Sequence, residues 1–345
     1  MIKRLPLLLF PILVSLSLEA AGTDPLFQSA ERLDITITAP FGRIDKERDK
    51  ETEYEGVLSY VDSAGATVSL DLVLEVRGNY RLIKRNCRYS QLWVDLKRGQ
   101  LEGTLFANQN RLKLVVRCGR QNRYTDYLIR EQQAYTMFSE VSDYDFGTRL
   151  LNVTYVDSED EDDVRTHMAF FIEHQNRLAD RFGMDKVESN GIPRDELNAR
   201  QGVLVSLFMF LIGNTDYSII RGPENDACCH NSKLLVNADG EYFAIPYDFD
   251  ASGFVDASYA PEPNPSFNLR SNRSRLYRGF CVPDEIFSAA IKTYQDAEEA
   301  LNNIIDDTTY IGTRAVRRTI KFVDDFYEVI NDPRKLERQI VRDCR

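Results

Sequence analysis

Asp216, Asn231, Asp248 and Asp250 are the residues of this chain whose types and order could do chemistry. Asp216 follows a long apolar run, in the loop Asn214, Thr215, Asp216, and the other two acids follow a pair of short apolar segments. An acid, then an amide, then a further acid is the order a phosphoryl-transfer site needs, because that reaction asks mainly for positioning and for cations on the phosphates. Asp216 would accept or orient the proton of an attacking hydroxyl. Asn231 and Asp248 would hold a magnesium ion, which prefers oxygen ligands. Asp250 would either touch a second metal or cap the turn at Ser252 and Gly253. Aspartate is also common at helix-end turns and hairpin ends with no chemistry attached, so a purely structural role stands beside each assignment.

These residues need elements to place them. Leu197, Leu204, Leu207, Phe208 and Leu211 repeat at three and four residues and predict a buried helix that begins near Pro193 and ends at Gly213. SKLLVN and EYFAIPY, joined at Ala238, Asp239 and Gly240, predict a hairpin. Upstream, DITIT, TVSLDLVLEV, QLWVDL and RLKLVV predict β-structure from about Leu33 to Cys118. A helix is expected from Asp126 to Val141, then strands at RLLNVTYV and HMAFFIE separated by the acidic run Asp157 to Asp163, read as a solvated loop. Two or three helices are expected after Pro283.

With those pieces in order, the chain resembles the spore-coat protein H (CotH) type of atypical kinase. The resemblance rests on RGN at Arg77 to Asn79, the pair Lys84 and Arg85, LKLVV around Lys113, LIREQQAY, FFIEHQNRLADRFG, NTD at Asn214 to Asp216, HN at His230 and Asn231, and PYDFD. It spans roughly Arg77 to Gly253. It implies that Lys113 reaches the phosphates of a nucleotide, with Lys84 as the competing lysine, Glu131 as the lysine's partner and Arg77 in place of a phosphate loop. Glu173 falls where two lobes should join, so its backbone would meet the adenine. The sequence departs from protein kinases in having fourteen residues between Asp216 and Asn231 and no G-x-G-x-x-G loop.

The first residues carry Lys3 and Arg4, a short apolar run and then Ala20, Ala21 and Gly22, which reads as a cleavable secretory signal. No later segment reads as a membrane span. Losing Lys3, Arg4 and Glu19 moves the net charge from -11 to -12, a poor basis for binding nucleic acid. Six cysteines in an exported chain read as disulfides. Their connectivity stays open at this level, although Cys87 with Cys118 would tie neighbouring strands and leave four to staple the second half.

The expectation is therefore an α+β protein with a two-lobed atypical protein-kinase-like fold: a signal peptide over 1–22, a β-rich N-lobe over 23–182 and a mainly helical C-lobe over 183–345. It would be secreted or periplasmic and would move a phosphoryl group from ATP, with magnesium or manganese, to a protein or small-molecule hydroxyl. The alternatives are a non-catalytic binding or surface-assembly module on the same fold, a nucleotidyl transferase, and a glycoside hydrolase using Asp216 and Asp248 as a carboxylate pair.

Overall fold

The computed structural model describes residues 24–345 except 225, so the expected signal peptide lies outside the described residues. Seven strands form the N-terminal half: β1 (Leu33–Ala39), β2 (Glu53–Val61), β3 (Thr67–Arg77), β4 (Gln91–Leu96), β5 (Arg111–Val116), β6 (Thr148–Asp157) and β7 (Asp160–Ile172). Alternation sets their two faces. In β3, Leu70, Leu72, Leu74 and Val76 point into one apolar core with Leu112, Leu114 and Val116 of β5, while Arg77 and Lys113 take the opposite face.

These strands close into a barrel in the order β1-β2-β3-β4-β5-β7-β6, sealed by a parallel pairing of β1 with β6 from Leu33↔Leu151 to Ala39↔Asp157. This corrects the kinase-like fold, whose small lobe is an open twisted sheet. Here β1 is hydrogen-bonded on both sides, to β2 and to β6, so the sheet keeps no free edge.

The acidic run also departs from expectation. Only Ser158 and Glu159 lie between β6 and β7, and the remaining acids are the exposed start of β7. Asp157 is buried, and its Oδ2 accepts the Gly42 N–H at 2.6 Å in the first turn of the helix α1 (Phe41–Glu47).

Helix α2 (Arg123–Ser139) lies against the outer wall of the barrel and joins a second, larger core with α4 (Ala199–Ile212); α3 (Gln175–Phe182) sits between them in sequence. Every residue of α4 from Gln201 to Ile212 is buried, as expected of a helix apolar on all sides. The Asn198 side chain caps its start, and Gly213 ends it at φ +63, where a Cβ would come within 2.9 Å of Phe322. A three-stranded sheet follows, β8 (Asp185–Lys186), β9 (Ser232–Val236) and β10 (Tyr242–Pro246), in the order β10-β9-β8. After Pro283 the chain forms four helices rather than two or three: α5 (Asp284–Asp296), α6 (Glu298–Asp306), α7 (Thr313–Ile330) and α8 (Pro333–Gln339). Among the described residues no helix is long and apolar enough to cross a membrane.

Cys87 pairs with Cys118, and Cys281 pairs with Cys344. The third bond joins the adjacent Cys228 and Cys229, a pairing the sequence reading did not foresee. Three disulfides place the folded chain in an oxidising, extracytoplasmic environment.

Candidate functional site

A cleft of about 610 Å³ runs between the outer face of β3, β4 and β5 and the ends of β9 and β10. Arg77, Lys113, Glu131, Glu173, Asp216, Asn231, Asp248 and Asp250 all line it. Lys84 does not: its Nζ donates to the Lys46 carbonyl at 2.7 Å on the exposed side of the strap between β3 and β4.

Within the cleft the predicted residues separate into distinct groups. Glu131, Asp248 and Asp250 bring one carboxylate oxygen each to within 4.8 Å of one another, the one such acidic group found among the described residues. Asn231 hydrogen-bonds elsewhere. Its Nδ2 donates to the Asp216 carbonyl at 2.6 Å, and His230 Nε2 lies 2.8 Å from Asp216 Oδ1. The His230 hydrogen bond holds the Asp216 carboxyl below the usual range and raises the imidazole in return. Arg278 fixes the same loop by donating to the carbonyls of Thr215 and Tyr217.

Arg81, which sequence reasoning passed over for Lys84, sits among the acids. Its Nε donates to Asp250 Oδ2 at 2.7 Å and its Nη2 to Glu131 Oε2 at 2.9 Å, with the Tyr259 ring 5.6 Å away. Glu131 therefore pairs with Arg81 and not with Lys113. Burial pushes the Glu131 carboxyl up to about 8 against the pull of Arg81, and burial also raises Asp250. Glu173 is likewise engaged, in a buried ion pair with Arg181 at 2.8 Å and as acceptor of the Gly147 N–H.

Lys113 and Arg77 face the cleft without such partners, and among the described residues neither has a carboxylate within ion-pair distance. Lys113 Nζ lies 4.0 Å from the centre of the Tyr247 ring and 5.6 Å from that of Trp93, which Arg77 also approaches. Burial first, then the neighbouring Arg77, drives the Lys113 ammonium well below its ordinary pKa. Lys233 of β9, another residue the sequence did not flag, approaches the same Tyr247 ring and is lowered by burial too. Alternation puts Arg77, Trp93 and Lys113 on one face of neighbouring strands, with Trp93 directly opposite Lys113. That register is the signal that could have joined Trp93 to the site.

Asn231 and Asp248 both hold left-handed backbone, at φ +51 and +65. Asparagine and aspartate tolerate that region better than other residues with a side chain. At Asp248 it is fixed by a backbone N–H donated to the Tyr135 hydroxyl at 2.8 Å.

Comparison with protein-family models, with curated proteins and with solved structures returns no match. The resemblance to CotH-type kinases thus gains no support, and the geometry removes the activity it implied. The barrel is closed, and among the described residues no glycine-rich loop covers the cleft. Asn231 turns to Asp216, and Arg81 is bonded to Asp250, the acid expected to touch a second metal or cap a turn. ATP, magnesium or manganese, and a hydroxyl acceptor therefore have no support in this geometry, nor have nucleotidyl transfer and the kinase-fold module. The glycosidase pair gains no support either, since Asp216 is bonded to His230 and Asn231 while Asp248 groups with Glu131 and Asp250.

Proposed function

We propose that the protein binds a small anion, a phosphate or carboxylate compound of one or two negative charges, in the cleft beside Trp93 and Tyr247. The reading includes an exported chain, secreted or periplasmic after loss of residues 1–22, with the barrel supplying the cationic wall. The observation that carries it is the state of Arg77 and Lys113, two part-buried cations side by side, each depressed by burial and neither ion-paired. Once Glu131 and Asp250 are matched to Arg81, Glu173 to Arg181 and Asp216 to His230, the cleft retains Arg77, Lys113 and Lys233 against Asp248 and the rim residue Asp226. An anion there recovers the Coulomb energy that these cations lack in the empty cleft.

Calorimetric titration with inorganic phosphate, sulfate and citrate at low ionic strength tests this. At least one should bind, and Lys113→Met should weaken it by about 10- to 100-fold, the worth of one charge-assisted hydrogen bond. Binding requires the charged ammonium, so affinity should fall as pH rises through the depressed pKa of Lys113, before an ordinary lysine would titrate. A well-folded wild-type protein that binds none of the three anions would sink the proposal.

A further inference from the structure

The three disulfides are not equivalent. Cys87–Cys118 and Cys281–Cys344 join residues 31 and 63 positions apart, so each removes conformational freedom from the unfolded chain. By the same cycle, the fold favours those two bonds, because it brings together thiols that an unfolded chain keeps apart. Cys228 and Cys229 are neighbours in sequence and equally close in any state of the chain, so their bond closes no loop and folding does little to hold it. A chain already stapled twice gains almost nothing in stability from it.

Its position is equally distinctive. Cys229, 4% exposed beside a 1% exposed Cys228, borders the cleft together with His230, Lys233 and Lys113. The Cys229 N–H donates to the Ser232 carbonyl and the Cys228 N–H to the Ser189 carbonyl, so both ends of the small ring anchor the loop. One residue on, the His230 carbonyl accepts the Ser218 N–H at 2.9 Å while its imidazole meets Asp216. The bonded pair thereby fixes where His230 and Asn231 can reach.

We propose that Cys228–Cys229 is a thiol-exchange site for an extracytoplasmic dithiol, and that its opening releases His230 and Asn231 from Asp216. A thiolate of the dithiol attacks one sulfur of the pair, forming a mixed disulfide and freeing the other cysteine as a thiol. The second thiol of the reagent then resolves the mixed disulfide. Two electrons and two protons pass to the protein, which leaves with two cysteine thiols, and the dithiol leaves as its cyclic disulfide.

The test uses the oxidised chain under native conditions with graded dithiothreitol, an acid quench, alkylation and peptide mass mapping. Cys228 and Cys229 should be alkylated at about tenfold lower dithiothreitol than the other four cysteines, which corresponds to roughly 30 mV in potential. Hydrogen exchange at the Ser218 amide should quicken at the same point, and Cys228→Ser/Cys229→Ser should show the faster exchange with no reductant. Reduction of this pair together with or after the others would overturn the site. Early reduction with unchanged Ser218 exchange in both the reduced and the substituted protein would overturn the coupling to His230. Neither readout involves an anion, so the outcome is separate from that of the proposed binding function.

Discussion

Arg81→Met should lower the stability of the protein by about 3–5 kcal/mol near pH 9.5, the usual loss when one partner of a buried ion pair is removed. Arg81 is 11% exposed and Glu131 is 2% exposed, so the guanidinium is the main compensation for carboxylates with little access to water. The pH dependence identifies the cause. The Glu131 carboxyl titrates at about 8 in the native state against 4.5 as its ordinary value. Between those values the native state holds a proton that the unfolded chain has released, so this group makes stability fall as pH rises from about 4.5 to 8. In the variant nothing opposes burial, and the carboxyl ionises at still higher pH. Glu131 is therefore neutral in both native proteins from pH 5 to about 8, and the gap between them grows only above that, so it should be wider at pH 9.5 than at pH 5. Urea unfolding of both proteins at the two pH values measures it. An equal gap at both would mean that Arg81 acts by packing against Tyr259 and not through charge. Arg81→Met with Glu131→Gln should recover part of the loss at pH 9.5, because the native state then no longer has to take up a proton to keep that buried side chain neutral.

The reason Arg81 escaped the sequence reading is distance along the chain. Its two partners are 50 and 169 residues away, and nothing local distinguishes it from Lys84 and Arg85 in the same basic segment. Local patterns were legible where the interaction they report is local. Alternation in TVSLDLVLEVR marks β3, three- and four-residue spacing marks α4, and Ala238, Asp239 and Gly240 mark the turn between β9 and β10. Barrel closure was not legible, since it depends on a parallel pairing of β1 with β6 across more than a hundred residues, and alternation in β1 looks the same in an open sheet. The candidate site divides along the same line. Residue types indicated that Asp216, Asn231, Asp248 and Asp250 matter, and all four do line one cleft. What they do there depends on partners: His230 takes Asp216, Asp216 takes Asn231, and Arg81 takes Asp250. A motif therefore gave membership of the cleft without giving its charge state, and the charge state is what turned the reading from a metal-nucleotide site to an anion site.

Phe249→Ala should cost about 3–5 kcal/mol, and its effect on the cleft should be separable from that loss. Phe249 is fully buried between two acids of the site, with the Tyr135 ring 4.6 Å and the Phe208 ring 5.4 Å from its own. It thereby pins the segment against α2 and α4 while Asp248 and Asp250 face the cleft. The Tyr135 hydroxyl takes the Asp248 N–H, and this contact keeps Asp248 in left-handed backbone that costs of order 1 kcal/mol for a residue with a side chain. With the ring removed, Tyr135 keeps Phe170 but loses its nearer ring contact, and Asp248 is free to return to ordinary backbone. Phe249→Leu refills most of the space and should cost about 1–2 kcal/mol, with the Asp248 geometry kept. Measured at a temperature where all three proteins are folded, anion affinity should be unchanged in Phe249→Leu and altered several-fold in Phe249→Ala, because Asp248 is the acid that Arg77 and Lys113 feel most strongly. Equal affinities in the two variants would show that Asp248 holds its conformation without Phe249. Packing would then set only the stability of this hairpin end, and the charge seen by the two cations would be fixed by the Tyr135 hydrogen bond alone.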